Sequence, residues 1–241
     1  AETLDGSIIY RNGDVIEPID KAFDYDRLVF NEGLPNFLGP WRRDLSIRQG
    51  RINTGKTTTI AGIDILTELG IYASQSYDNT IDDPAFKCSA ASISRAWAEA
   101  DTVTNIYQND KYIIINHEYM DLIRVIALGT QHDIAYTSRP YGHSIGWYEG
   151  DTLVIDTIGF EKGVLTPHPG PFMSPYPGVM VLHSNALHMV ERIRLNEDGL
   201  GFTVSWKATD YMYFNRPIED TLYFIPSAYN ASPYNCMVKD N

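Results

Sequence analysis

The chain has 241 residues, of which 44% are hydrophobic and 21% charged, the composition of a soluble globular protein with one sizeable core rather than a disordered chain. Its 31 acidic residues outnumber the 19 basic ones, and the resulting net charge of −12 argues against a nucleic-acid backbone or an anionic membrane as the main partner. No apolar run approaches the roughly 20 residues of a membrane-spanning helix.

The chain opens on AETLDGS, and a small residue at position 1 is what signal-peptidase cleavage leaves, so export is expected. Residues 1–60 place Gly, Pro and Asn between short apolar pieces such as SIIY and RLVF, which read as edge strands or an arm over a core. Within them GRINTGKTTT, residues 50–59, fits the phosphate-loop pattern with Gly50, Gly55, Lys56 and Thr57. That loop needs a buried strand before it. GPWRRDLSIRQ at 39–49 puts Arg42, Arg43, Asp44 and Arg48 where such a strand is apolar, so nucleotide binding is rejected.

Ile60, Ile63, Leu66 and Leu69 are spaced for one face of a helix over 60–77, and Ile93, Ala96 and Trp97 for one over 89–100. Cys88 and Cys236 lack the spacing of a redox or zinc motif. They read either as one disulfide in an oxidising compartment or as two unpaired buried thiols. From residue 102 the hydrophobic period changes to two. NIYQNDKYIIINHEY and LIRVIALG read as two strands meeting near Met120 and Asp121. HSIGWYEGDTLVIDTIGF is a hairpin with Glu149-Gly150-Asp151 at its tip, and ALHMVERIRLNEDGLGFTVSWKATDYMY is another, turning at 196–199. In the latter Phe202, Val204, Trp206 and Ala208 alternate with polar residues, one face toward a core. Between these hairpins VLTPHPGPFMSPYPG, with Phe172, Met173 and Tyr176, reads as a loop covering a binding site or a rigid surface loop.

The residues suited to chemistry sit on or beside these strands. His143 lies in YGHSIGWYEGD, and His183 and His188 in LHSNALHMVER. Histidine titrates near neutral pH and serves as acid, base or metal ligand. Pairing about the 149–151 turn puts His143 or Ser144 beside Asp156 or Thr157, and a carboxylate beside an imidazole fixes its tautomer. His188 and Glu191, at odd spacing, point to opposite faces of a strand. GHSIG matches G-x-S-x-G, but a strand follows where the nucleophile elbow needs a helix, so Ser144 reads as a sheet residue. Glu118, Tyr119, Arg124, Tyr141, Trp147 and Trp206 are the candidate substrate contacts.

DDPAFKC at 82–88, HEYMDLIRVIAL at 117–128, GHSIGWYEGDTLVIDTIGF at 142–160 and HSNALHMVERIR at 183–194 resemble a largely uncharacterised family of secreted bacterial proteins. The matching pieces span about half the chain. A cysteine near the C-terminus, here Cys236, belongs to the same pattern, and the resemblance thus implies an exported, disulfide-bonded protein. Residues 1–60 fall outside it, and the insertion at 164–181 is longer than the family's connection.

The expectation is a secreted or periplasmic single domain, mainly β, with an irregular and partly helical arm over 1–101. An antiparallel meander over 102–241 closes into a small calycin-like or lipocalin-like barrel. Its predicted function is cofactor-independent acid–base chemistry, a lyase or isomerase acting on a small, largely apolar or aromatic oxygenated molecule. His143 would be the acid or base, Asp156 its orienting partner, and His183 or His188 the second proton-transfer group, with no metal. The alternatives are a periplasmic binding protein with the same pocket, and a metal-dependent hydrolase or oxygenase built on the histidines.

Overall fold

The computed structural model describes residues 33–47, 65–78, 81–90, 92–129, 131–132, 138–165 and 181–238, together with three short N-terminal strands. Those strands, β1 (Glu2–Leu4), β2 (Ser7–Ile9) and β3 (Val15–Ile16), pair in order as an antiparallel sheet. The phosphate-loop pattern at 50–57, the RLVF piece, Ile60, Ile63 and the aromatic loop with Phe172, Met173 and Tyr176 lie outside the described residues.

The fold is mainly β, a closed barrel of nine strands. They are β4 (Gly39–Arg43), β5 (Val103–Gln108), β6 (Tyr112–His117), β7 (Leu122–Leu128), β8 (His143–Glu149), β9 (Thr152–Ile158), β12 (His188–Leu195), β13 (Phe202–Thr209) and β14 (Ile218–Pro226). Around the barrel the order is β12-β13-β14-β4-β5-β6-β7-β8-β9, and β9 pairs with β12 to close it. An odd number of strands cannot alternate in direction all the way round a closed circle. One pair must be parallel, and it is β7 with β8, while the others are antiparallel. A parallel pair needs a crossover connection rather than a tight turn. Residues 129–142 supply it.

Register and burial identify the inner face. Glu191, Met189 and Ile193 of β12 are buried and lie opposite Ile155, Thr157 and Leu153 of β9 on one side, and Glu191 opposite Trp206 of β13 on the other. Phe202, Val204, Trp206 and Ala208 all point inward, as their alternation predicts. The second short ladder, β10 (Gly163–Val164) with β11 (Leu182–His183), joins the ends of the segment between β9 and β12.

Two elements differ from the sequence reading. The barrel is not confined to 102–241, because β4 sits between β14 and β5. Its arginines resemble no sheet core, yet Arg43 is buried, donating from Nη1 to the carbonyl of Ala98 at 2.7 Å, while Arg42 faces solvent. A guanidinium on the carbonyls at a helix end is well placed, and this contact seats β4. Likewise NIYQNDKYIIINHEY is two strands. Asn109 turns the chain by accepting on Oδ1 from the backbone N–H of Lys111 and Tyr112, both at 2.8 Å.

Helix α1 (Glu68–Gln75) begins at Thr67, whose hydroxyl accepts from the Gly70 N–H at 3.1 Å. Leu69 is exposed and Leu66 precedes the helix, bridged to Phe214, so the predicted apolar face is not formed by that pair. Gly70 lies against the Tyr213 carbonyl, where a Cβ would come to 2.4 Å. Helix α2 (Ile93–Ala98), capped by Ser92, closes one end of the barrel. Trp97 on it is fully buried, its ring edge-on to His117, Phe202 and Phe224. Cys88 and Cys236 form a disulfide. No helix among the described residues is long and apolar enough to cross a membrane.

Candidate functional site

Asp156 is the centre of a histidine cluster on the outer face of the barrel. The inward residues of β9 are Leu153, Ile155 and Thr157, so Asp156 points out. It pairs with Ile145 of β8 and Val190 of β12. Side chains two residues along on neighbouring strands share a face and lie diagonally within reach of long side chains. His143 stands two before Ile145 and His188 two before Val190, which brings both to the Asp156 face. The crossover between β7 and β8 adds a residue that sequence reading missed, His132. No strand period marks a loop histidine, and the only signal available was that a parallel pair requires a connection passing over this sheet.

These groups form a hydrogen-bonded chain. His132 Nε2 is 3.0 Å from Asp156 Oδ2, His188 Nε2 meets Asp156 Oδ1, and His132 Nδ1 is 2.8 Å from His143 Nδ1. A carboxylate only accepts, so both Nε2 atoms carry hydrogen. In neutral His132 its Nδ1 is then an acceptor, which assigns the proton between the two rings to His143 Nδ1. That tautomer puts the basic lone pair of His143 on Nε2. Burial pushes the Asp156 carboxyl up, but the hydrogen bonds from His188 and His132 outweigh it and hold the carboxyl below its ordinary 3.8. The same bond to Asp156 lifts His188 above its ordinary 6.5 against a smaller effect of burial. The side chains of Asp156 and His132 are 20% and 14% exposed and that of His188 46%, so the cluster meets solvent at His188.

A pH dependence of stability follows. A histidine whose pKa is raised by folding stabilises the fold below pH 6.5, and this is lost as pH rises through its folded pKa; Asp156 stabilises above 3.8, lost as pH falls through its lowered value. His188→Ala is therefore expected to cost most between about pH 4 and 6.5 and progressively less above. Urea unfolding of both proteins across pH 4–9 measures this, and a pH-independent difference would refute the pairing.

The other expected site residues are dispersed. His183 does not join the cluster: on β11 it is buried against Phe160, with Nδ1 3.0 Å from the Ser184 carbonyl oxygen. Burial holds its pKa below 6.5, and Asp210 fixes the neighbouring Ser184 through both N–H and hydroxyl. Its five-residue distance from His188 in sequence spans a change of ladder, which separates them. The triad of His143, His183 and His188 that a metal reading required is thus not assembled. Asp156 and its three histidines run as a chain rather than facing one point, and among the described residues no group of three or more His, Cys, Asp or Glu is arranged to hold a metal ion.

Arg124 and Trp206 point into the barrel. Arg124 forms a bidentate pair with fully buried Glu191, Nη1–Oε1 2.9 Å and Nη2–Oε2 2.5 Å, and Trp97 Nε1–H donates to Glu191 Oε1 at 2.6 Å. Ser144 is a sheet residue facing inward, its hydroxyl 2.8 Å from that of Thr157. Glu118 accepts from the Val103 N–H and the Ser232 hydroxyl, and Tyr119 is buried against Tyr234. Tyr141 Oη lies 3.2 Å from Ser89 Oγ, and Trp147 on the outer face donates to Glu149 at 3.1 Å. The structure brings together His143, Asp156 and His188, adds His132, and divides the proposed substrate contacts among the interior, the barrel end and the outer face.

No protein-family model matches the chain, and no curated protein matches it.

Proposed function

We propose that the protein is an exported acid–base enzyme, a lyase or isomerase of small, largely apolar oxygenated molecules, and that the Asp156 cluster moves the proton. The observation that carries this reading is the continuous chain from His143 through His132 to Asp156, with His188 on the second carboxylate oxygen. When His143 Nε2 takes a proton from a substrate C–H or O–H, its Nδ1 proton passes to His132 Nδ1. His132 then carries the positive charge, held by Asp156. His188, cationic over a wider pH range than an ordinary histidine, supplies the acid that protonates a leaving or rearranging oxygen. Such a pair needs no organic cofactor. The disulfide and the acidic surface suit an oxidising, extracytoplasmic compartment and a small-molecule partner rather than a polyanion.

The test screens hydroxylated, carbonyl and ether compounds in D2O by NMR, with the wild type and with His143→Asn. An acid–base enzyme eliminates water, isomerises the compound or exchanges a C–H for solvent deuterium. His143→Asn is expected to lower that rate by about 10²–10⁴-fold. A compound turned over equally by both proteins would sink the assignment. One that is bound and returned with all its protons would indicate a binding protein.

A further inference from the structure

The barrel interior carries a second polar site, across the sheet from the Asp156 cluster. Arg124 Nε, His117 Nε2 and Trp206 Nε1 are all buried with no hydrogen-bond partner. Each belongs to an inward-facing side chain, since His117 lies opposite Thr104 and Leu122, Arg124 opposite Ile115, and Trp206 opposite Glu191 and Asp220. They are linked through one set of contacts. Arg124 and Trp97 both bond Glu191, His117 packs 4.6 Å edge-on to Trp97, and Trp206 neighbours Glu191 on the adjacent strand.

Buried polar atoms are nearly always satisfied, so three without partners around one ion pair call for an occupant that forms hydrogen bonds. Trp206 Nε1 and Arg124 Nε are donors without alternative. Arg124 and Glu191 cancel in charge, so the pair itself offers no net charge to an occupant. Aromatic and aliphatic neighbours, Phe202, Ile155 and Leu222 among them, suit an apolar body. Barrels of about eight strands are filled by side chains or hold one small ligand, and this one has nine strands. We propose that the barrel interior binds a small uncharged, largely apolar molecule whose oxygen accepts hydrogen bonds from Trp206 Nε1–H and Arg124 Nε–H.

The test titrates the ¹⁵N-labelled full chain with acetophenone, and separately with ethylbenzene, which has nearly the same outline without the carbonyl. The Trp206 indole N–H resonance, identified by its loss in Trp206→Phe, is expected to move downfield with acetophenone only. Acetophenone should bind about tenfold more tightly than ethylbenzene, and Trp206→Phe should remove that preference. An indole N–H unmoved by acetophenone, or showing exchange cross-peaks to water alone, overturns the proposal. So does an unchanged preference in folded Trp206→Phe. None of these readouts involves turnover, and the outcome is independent of the Asp156 cluster.

Discussion

Replacing Glu191 with Ala is expected to lower the free energy of unfolding by about 3–5 kcal/mol, the range for breaking one side of a buried ion pair. The side chains of Glu191 and Arg124 are 0% and 3% exposed, so the guanidinium left behind has no water to turn to. Its one remaining bond among the described residues is a long one, 3.4 Å to Ser144 Oγ. Trp97 Nε1–H loses its acceptor as well, in the helix that closes the barrel. Removing both charges is a different experiment. Glu191→Met with Arg124→Leu keeps the volume and strands no charge, and only the indole N–H is orphaned, at a cost of about 1–3 kcal/mol. The double variant should therefore be more stable than either single one. Urea unfolding of the wild type, Glu191→Met, Arg124→Leu and the double variant closes the cycle. If the two single losses simply add in the double variant, the pair is not coupled and the account of the interior is wrong.

Much of the barrel was legible because antiparallel strands advertise themselves by a period of two and by their turns. The β8–β9 hairpin turns at Gly150 with φ 60°, where the sequence placed its tip, and β13 alternates cleanly. What could not be read was which face is inside. In β9, Leu153, Val154 and Ile155 are all buried, and an unbroken apolar run hides the parity that assigns Asp156 outward and Thr157 inward. Barrel closure decides it, through the pairing of Glu191 with Ile155. The same blindness grouped Arg124 and Trp206 with the histidines although the sheet lies between them. Odd spacing did correctly separate His188 from Glu191, because that inference needs only one strand. β4 was missed because Arg43 is held through Nη1 by helix carbonyls 54 and 55 residues away, a contact no local pattern encodes.

The second large effect concerns the disulfide. Cys88 and Cys236 are 148 residues apart, and a cross-link of that span restricts the unfolded chain by about 5 kcal/mol in the loop-entropy model, with 2–5 kcal/mol the usual measured loss. Cys88→Ser with Cys236→Ser, or reduction, is expected to cost an amount in that measured range. The native fold adds a local consequence. Residues 227–238 carry no helix or strand, and beyond the Ser227 N–H on the Pro40 carbonyl at 2.9 Å they are held by side-chain bonds: Asn105 Nδ2–H to Asn230 Oδ1 at 3.4 Å, the Ala231 N–H to Asn105 Oδ1 at 3.0 Å, the Ser232 hydroxyl to Glu118 at 2.6 Å and the Tyr234 N–H to Asp121 Oδ1 at 3.0 Å. Tyr234 adds an edge contact to Tyr119, at 5.7 Å between centroids. These contacts are exposed or half-buried, and without the covalent anchor they compete with water and with the entropy of a free end. Amide exchange over 227–238 should accelerate on reduction by far more than exchange in β9 or β12 under native conditions. If the tail stays protected while global stability falls, the disulfide acts only through the unfolded chain. If neither changes, the tail's own contacts suffice to hold it and the predicted stabilisation is refuted.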